Sequence, residues 1–285
     1  MGTHNLHHYV PVFLLKKWQS SADRKLSCFH WVQGRLLVER YKAKSVAKQQ
    51  GLYRLAGRRT GHENAVERDY LGPEVDSPAA EAHRAIVERG VRALDHQGKT
   101  HWSRFLVSLL LRTPGKVQEI RRRGRETLTA SLEKSPEEYA RIRGLDPAET
   151  ALEWVNKNAP LVFDDLGVAT LPALIESKPL NRAILKASWA TRTLTPGSLD
   201  LLMCDSPLIY QGTMGGSFLL ILPVTPRRVF FAFNQLQTWD NLRACSDAAV
   251  AKRVNRHVVD AAVQYVYGTD DGQRPFIERY LRTSG

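Results

Sequence analysis

The feature that most constrains this chain is a change of hydrophobic period along its length. Near the start, two short apolar runs, Leu26-Ser27-Cys28-Phe29-His30-Trp31-Val32 and Arg35-Leu36-Leu37-Val38, flank Gln33-Gly34, a pair whose glycine suits a tight hairpin turn. Gly51 to Leu55 is a third short piece that could join the hairpin. In the middle the period becomes helical: Trp102, Phe105, Leu106, Leu109 and Leu110 recur at the three- and four-residue intervals of one buried helix face. Short apolar runs then return at Trp189–Leu194, Leu199–Cys204, Phe218–Val224 and Val229–Phe233, with turn residues between them. Ser246 opens a last helix expected to run to about Tyr267. The expected class is α+β: a helical middle, short and mostly antiparallel strands from the N-terminal hairpin and the C-terminal third, and a long C-terminal helix.

The helical middle is punctuated. Glu63–Tyr70 and Ala79–Leu94 read as helices separated by Gly72-Pro73 and Asp76-Ser77-Pro78, and a basic helix is expected from Lys116 to about Glu133 after the break at Thr113-Pro114. Ser135-Pro136-Glu137-Glu138 and Asp146-Pro147-Ala148-Glu149 are further helix starts with acidic first turns. With 285 residues, the chain lies near the upper end of what one hydrophobic core supports. The expectation is one compact domain over 1–285. It comprises motif and hairpin in 1–56, the helical middle in 62–188, the strand-rich part and long helix in 189–268, and a tail in 269–285.

Composition narrows the function classes. The three cysteines, Cys28, Cys204 and Cys245, form no Cys-x-x-Cys pair and cannot build a disulfide framework. With no apolar stretch of spanning length and no secretory leader, a soluble cytoplasmic protein without membrane partners is expected. The net charge of +12 favours anionic partners, nucleic acid or a phosphorylated ligand, although an arginine-rich surface can also simply be solvated. Self-association is left open.

The densest group of titratable side chains is His7-His8-Tyr9-Val10-Pro11, with His4 just upstream and Pro11 suited to the first position of a helix. Imidazoles here suit proton transfer or metal ligation, and equally a satisfied histidine pair that pins the N-terminus. Adjacent residues of an extended segment point to opposite faces, so at most one enters a given site. The segment resembles the opening of HNH-type nucleases, in which a histidine activates water beside a divalent metal; the asparagine and histidine those enzymes carry on the following hairpin and helix do not follow here, and His30 stands on the first hairpin strand without them. Asp205, in Asp205-Ser206-Pro207, stands where a buried strand should leave its sheet, a place for a catalytic or metal-binding carboxylate or for a local Asx turn. Asn255 falls on the apolar stripe of the last helix and must be hydrogen-bonded there, orienting a site residue or tying a loop. Arg112 and Glu81 could form a buried ion pair. Lys116, Arg121, Arg122, Arg123 and Arg125 line the basic helix, and Arg58-Arg59 form a second basic loop beside Thr60. Both are candidate phosphate contacts or solvated faces. No phosphate-cradling glycine loop, dinucleotide fingerprint or serine elbow is present.

These segments, in this order, resemble the domain-of-unknown-function family 4238. His7-His8-Tyr9-Val10-Pro11 with Phe13-Leu14 and Trp18 is similar to the family's opening signature, and Ser45-Val46-Ala47-Lys48 with Leu52-Tyr53 to its second block. Glu81 and Leu111-Arg112-Thr113-Pro114 resemble its helical middle. Cys204-Asp205-Ser206-Pro207 resembles its Ser-Asp-Asn-Pro motif, and Asn255 with Tyr265-Val266-Tyr267 its closing helix. The resemblance carries no established reaction. It implies one compact domain and polar positions that could converge: His8, Lys48, Glu81, Arg112, Asp205 and Asn255.

The resulting expectation is a hydrolase of phosphodiester bonds in nucleic acid or nucleotides, of a microbial defence or toxin kind. His8 or His7 would be general base or metal ligand. Asp205 and Glu81 would hold a divalent cation (Mg²⁺ or Mn²⁺, with His8 and Asp205 as ligands) or orient water; Lys48 or Arg112 would stabilise phosphate charge, and Asn255 would orient the site. The alternative is a non-catalytic nucleic-acid- or protein-binding module in which the same residues form a structural network.

Overall fold

The structure is a computed structural model that describes residues 5–59, 61–134, 136–144 and 146–280. His4, Thr60 and Ser135, noted above, lie outside the described residues. In chain order the elements begin with β1 (Leu6–His8), α1 (Val12–Leu15), β2 (Leu26–Val32), β3 (Arg35–Tyr41) and β4 (Lys48–Gln50). A π-helical segment, Val66–Asp76, leads into α2 (Ser77–Arg89), followed by α3 (His96–Leu111) and α4 (Pro114–Glu133). Short helices follow: α5 (Pro136–Ile142), α6 (Ala151–Asn158), α7 (Val162–Ala169), α8 (Leu171–Ile175) and α9 (Lys178–Lys186). Then come β5 (Ser188–Thr193), β6 (Met203–Cys204), β7 (Ile209–Gly212), β8 (Phe218–Thr225) and β9 (Arg228–Phe233). The chain closes with α10 (Leu236–Ala244), α11 (Asp247–Ala261), β10 (Val266–Gly268) and α12 (Arg274–Tyr280). This is an α+β fold with a helical middle and antiparallel sheets.

Gly51 to Leu55 is turn and coil and does not join the hairpin's sheet. Leu199–Cys204 is strand only at Met203–Cys204, and the basic helix begins at Pro114. Further boundaries also differ from the sequence reading. The break expected at Gly72-Pro73 is absent, because the wider π turn takes Pro73 inside the helix. The following helix stops at Gly90, whose φ of 82° ends it, rather than at Leu94. The last long helix stops at Ala261, and Val266–Gly268 is a strand.

The chain divides into two compact units. One comprises Gln49–Glu74, Pro114–Glu176 and the described part of Met1–His7. Its helices α4 and α7 cross at Gly124 and Gly167, where a Cβ on Gly124 would stand 2.7 Å from the Gly167 Cα, so only glycine permits that approach. Asp165, on α7, accepts the N–H groups of Ala56 and Gly57, both at 2.7 Å, and anchors the loop before Arg58.

The other unit comprises His8–Lys48, Val75–Thr113 and Ser177–Gly285. It holds two four-stranded antiparallel sheets, ordered β3-β2-β10-β6 and β5-β9-β8-β7. The central strands β8 and β9 are almost wholly buried, as a sheet covered on both faces requires. One side of that sheet carries Ile221, Val229 and Phe231 into a core shared with Val254 and Val258 of α11; on the other, Phe230 meets Trp102 of α3 edge-on. Pro223 sits at a register shift between β8 and β9, where a missing N–H is tolerated.

The first sheet has two unlike faces, and that difference positions the site. Phe29, Leu36, Cys204 and Val266 face the core. By strand alternation Cys28, His30, Glu39, Tyr41, Tyr265 and Tyr267 share the opposite face, with Cys28 directly opposite both Glu39 and Tyr267 in register. A second face of this kind is ordinarily solvated and polar; here it is rich in aromatic and titratable groups.

Candidate functional site

That face is the floor of a cavity of about 260 Å³. Its wall comes from two other stretches: Tyr9, and the run Ser45 to Lys48. They are fastened to each other where the Tyr9 N–H donates to the Ala47 carbonyl at 3.0 Å. Ala47 holds φ of 50°, left-handed backbone that costs a residue with a Cβ roughly 1 kcal/mol and persists only where its surroundings impose it. Three sequence blocks far apart in the chain, Tyr9, Ser45–Lys48 and Tyr265 with Tyr267, therefore meet at one cavity that opens to solvent beside the exposed Glu39 and Tyr41.

The cavity presents hydroxyl, imidazole, amine and carboxylate groups on aromatic walls. The His30 ring lies 5.5 Å from that of Tyr265, which stacks in turn at 6.4 Å on Tyr267. His30 Nε2 is 3.9 Å from a Glu39 oxygen, and the same oxygen accepts from the Tyr41 hydroxyl at 2.9 Å. Among the described residues His30 Nδ1 is buried without a hydrogen-bond partner, and the buried Tyr267 hydroxyl meets the Tyr9 phenol outside ordinary hydrogen-bond geometry. Burial, reinforced by the Asp205 charge, raises the Tyr9 hydroxyl above the ordinary phenol range, and burial does the same for Tyr267 and Tyr265. Burial first, then Glu39 and Asp205, pushes the Cys28 thiol up to about 12, so Cys28 is a protonated, weakly reactive thiol at neutral pH. The phenols are neutral donors, Lys48 brings a positive charge, and His30 Nε2 stands near the Glu39 carboxylate, beyond hydrogen-bond distance from it.

The residues singled out in the sequence fall mostly around this cavity, not in it. Lys48 lines it. Asp205 accepts the N–H groups of Val263, Gln264 and Tyr265 at 2.8, 2.7 and 3.0 Å, while its own N–H donates to the Tyr265 carbonyl. It thus fixes the entry to β10, with Tyr265 just before the strand and Tyr267 within it. Burial raises the Asp205 carboxyl, and these donors oppose the rise. Arg112 is fully buried and pairs with Asp76 through two bonds of 2.7 and 3.0 Å, not with Glu81; its third bond, 2.8 Å to the His8 carbonyl, holds the residue before Tyr9. Asn255 accepts from the Leu202 N–H and donates to the Asp200 carbonyl and to Gln273, tying loops around β6. His8 donates to the Lys44 carbonyl at 3.2 Å, and burial lowers its basicity. Glu81 is exposed and borders a separate hollow with His101.

In the first-described unit, His7 is buried and stacked on Tyr53, accepting that residue's N–H at Nδ1 and pairing with Asn64 at Nε2. The basic helix there is largely neutralised. Arg121 donates to the carbonyls of Asp164 and Arg54; Lys116 and Arg123 share Glu119, Arg122 pairs with Glu126, and Arg125 with Asp164. Arg58 and Arg59 are exposed, and among the described residues neither forms a side-chain ion pair. Among the described residues no three His, Cys, Asp or Glu side chains are grouped to hold a metal ion. None of the helices in the described residues is long and apolar enough to cross a membrane.

Sequence reasoning passed over Glu39 and Tyr41 and placed Tyr265 and Tyr267 on a helix. The available signal was the period-two alternation of the hairpin, which sets Cys28, His30, Glu39 and Tyr41 on one face.

Fold and cavity together define an α+β protein with a tyrosine-lined site on a small antiparallel sheet. The chain belongs to the family described as protein of unknown function (DUF4238), whose profile matches residues 6–272. No curated protein and no solved structure matches it.

Proposed function

We propose that the protein is a nucleic-acid- or nucleotide-directed hydrolase that cleaves a phosphodiester bond at the tyrosine-lined cavity. The observation that carries this reading is the meeting of three distant motif blocks at one solvent-open cavity holding His30, Glu39 and Lys48. In this reading His30 Nε2, the ring nitrogen on the side of the exposed Glu39, takes a proton from water, the water oxygen bonds to phosphorus, and the ester P–O bond breaks, its oxygen taking a proton from solvent. Lys48 and the phenol hydroxyls stabilise the charge that gathers on the phosphate oxygens. Asp205, Arg112 and Asn255 act as positioning residues, since their side chains are engaged with backbone groups and, for Arg112 and Asn255, with the side chains of Asp76 and Gln273. The exposed Arg58 and Arg59, within a net charge of +12, supply attraction for a polyanion.

The test incubates the purified full chain with single- and double-stranded DNA, RNA and mononucleotides, with Mg²⁺, with Mn²⁺ and with chelator. Cleavage of at least one substrate, reduced about 100-fold or more in Lys48→Gln, is expected. Binding without cleavage under every condition would instead support a binding module. The structural engagement of Asp205, Arg112 and Asn255 favours that second reading.

A further inference from the structure

We infer that the cavity takes a single unstacked nucleobase, laid against the tyrosine rings, with the attached phosphate outside at Lys48. The inference rests on the nucleotide-directed reading above and adds which part of the substrate enters.

Size is the first argument. A volume of about 260 Å³ falls below the roughly 300–1,000 Å³ of pockets that enclose drug-sized molecules. It accommodates one ring system but not a whole nucleotide, so sugar and phosphate remain at the mouth. The walls are the second. The Tyr265 ring lies against both the His30 and the Tyr267 rings, which leaves no room for a base between them but offers aromatic surface along the cavity. The third is polar matching. Tyr267 is fully buried and its hydroxyl meets only the Tyr9 phenol, outside ordinary hydrogen-bond geometry, while His30 Nδ1 has no partner among the described residues; both residues line the cavity. Buried polar atoms are almost always satisfied, and a base edge with donors and acceptors in its plane would satisfy both. An apolar ring would leave them unsatisfied. The half-buried Lys48 supplies the counter-charge for a phosphate held by the same sugar.

The same chemistry is offered by a free mononucleotide and by the end or an unpaired base of a strand, and the experiment separates them. Calorimetric titration of the full chain would use AMP, GMP, CMP and UMP, the matching nucleosides, ribose 5-phosphate and a short single-stranded oligonucleotide. Proteins compared are wild type, Tyr265→Ala, Tyr267→Phe and Lys48→Gln, each with a thermal melt. Base-bearing ligands should bind at least about 10-fold more tightly than ribose 5-phosphate, and Tyr265→Ala should remove about 10-fold of that affinity. Lys48→Gln should bring monophosphates down to nucleoside affinity. Tyr267→Phe should melt at or above the wild-type temperature, because it removes a buried hydroxyl that has no hydrogen bond of ordinary geometry, and yet bind bases more weakly. A preference for the oligonucleotide over all monomers, with the same variant pattern, identifies the strand as source; equal affinity identifies the free nucleotide.

Ribose 5-phosphate binding as tightly as the mononucleotides would overturn the inference. So would base binding untouched by Tyr265→Ala and Tyr267→Phe, or a Tyr267→Phe protein that melts lower and binds unchanged. If nucleic acid is cleaved but no base-bearing ligand depends on these tyrosines, this inference fails while the hydrolase reading stands. If bases bind as described and nothing is cleaved, the reverse holds.

Discussion

Asp205 commits both carboxylate oxygens to three consecutive backbone N–H groups, and its effect on the cavity passes through the strand those groups begin. Asp205→Asn keeps one acceptor oxygen and turns an amide donor towards an N–H. The expected cost is about 2–4 kcal/mol of stability, read from urea unfolding. His83 makes a different kind of claim. Burial depresses its pKa to about 4, and its Nε2 donates to the Val224 carbonyl at 2.8 Å, so it is neutral in the fold. Between that value and its ordinary one, about 6.5, the unfolded chain binds a proton that the folded chain does not. Stability is therefore complete above about pH 6.5 and falls by up to about 3 kcal/mol as pH drops towards 4. Urea titrations at about pH 4.5 and pH 7.5 should show that loss, and a His83→Gln variant should show less of it. At this scale the sequence was legible as a roster of polar residues but not as roles. That Asp205 or Asn255 would be engaged was foreseeable from burial; which backbone groups they hold depends on loops joined only in the fold.

Among the elements, the N-terminal hairpin was readable because its turn pair and alternation are local. β10 was not. Val254, Val258, Ala261 and Tyr265 continue a helical stripe, and no glycine or proline closes the helix at Ala262. What ends it is tertiary: Ala262 turns extended, with ψ of 131°, and Asp205 takes the next three N–H groups, after which Val266 pairs with Phe29 and Cys204. Long-range pairing here outweighs helix propensity. The Ser45–Lys48 wall tests the element view. Glycine at position 47 would relieve roughly 1 kcal/mol of left-handed cost but lose about 0.8 kcal/mol of buried methyl, so Ala47→Gly should stay within about 0.5 kcal/mol of wild type. Ala47→Val, branched at a positive φ, should lose about 1–2 kcal/mol. Unfolding midpoints of the two variants check this, and equal stability of the two would contradict the assigned backbone.

Across the whole molecule, charge was the most visible property in the sequence and the one most altered by the fold. Of the basic run around Arg122, the exposed guanidinium groups are already paired with Glu119, Glu126 and Asp164, so the local density of cations overstates the field available to a phosphate. The site instead draws on one lysine and a cluster of neutral donors. Its assembly from Tyr9, Ser45–Lys48, the hairpin and β10 was hidden because sheet order places β10 beside β2 across more than two hundred residues. The most direct test compares single-turnover cleavage rates of wild type, His30→Gln and Glu81→Gln on the best substrate, each checked for an unchanged melt. His30→Gln is expected to lose about 100-fold or more while Glu81→Gln, on its separate hollow, keeps the wild-type rate. Wild-type turnover by His30→Gln, or loss confined to Glu81→Gln, would contradict this assignment of the site.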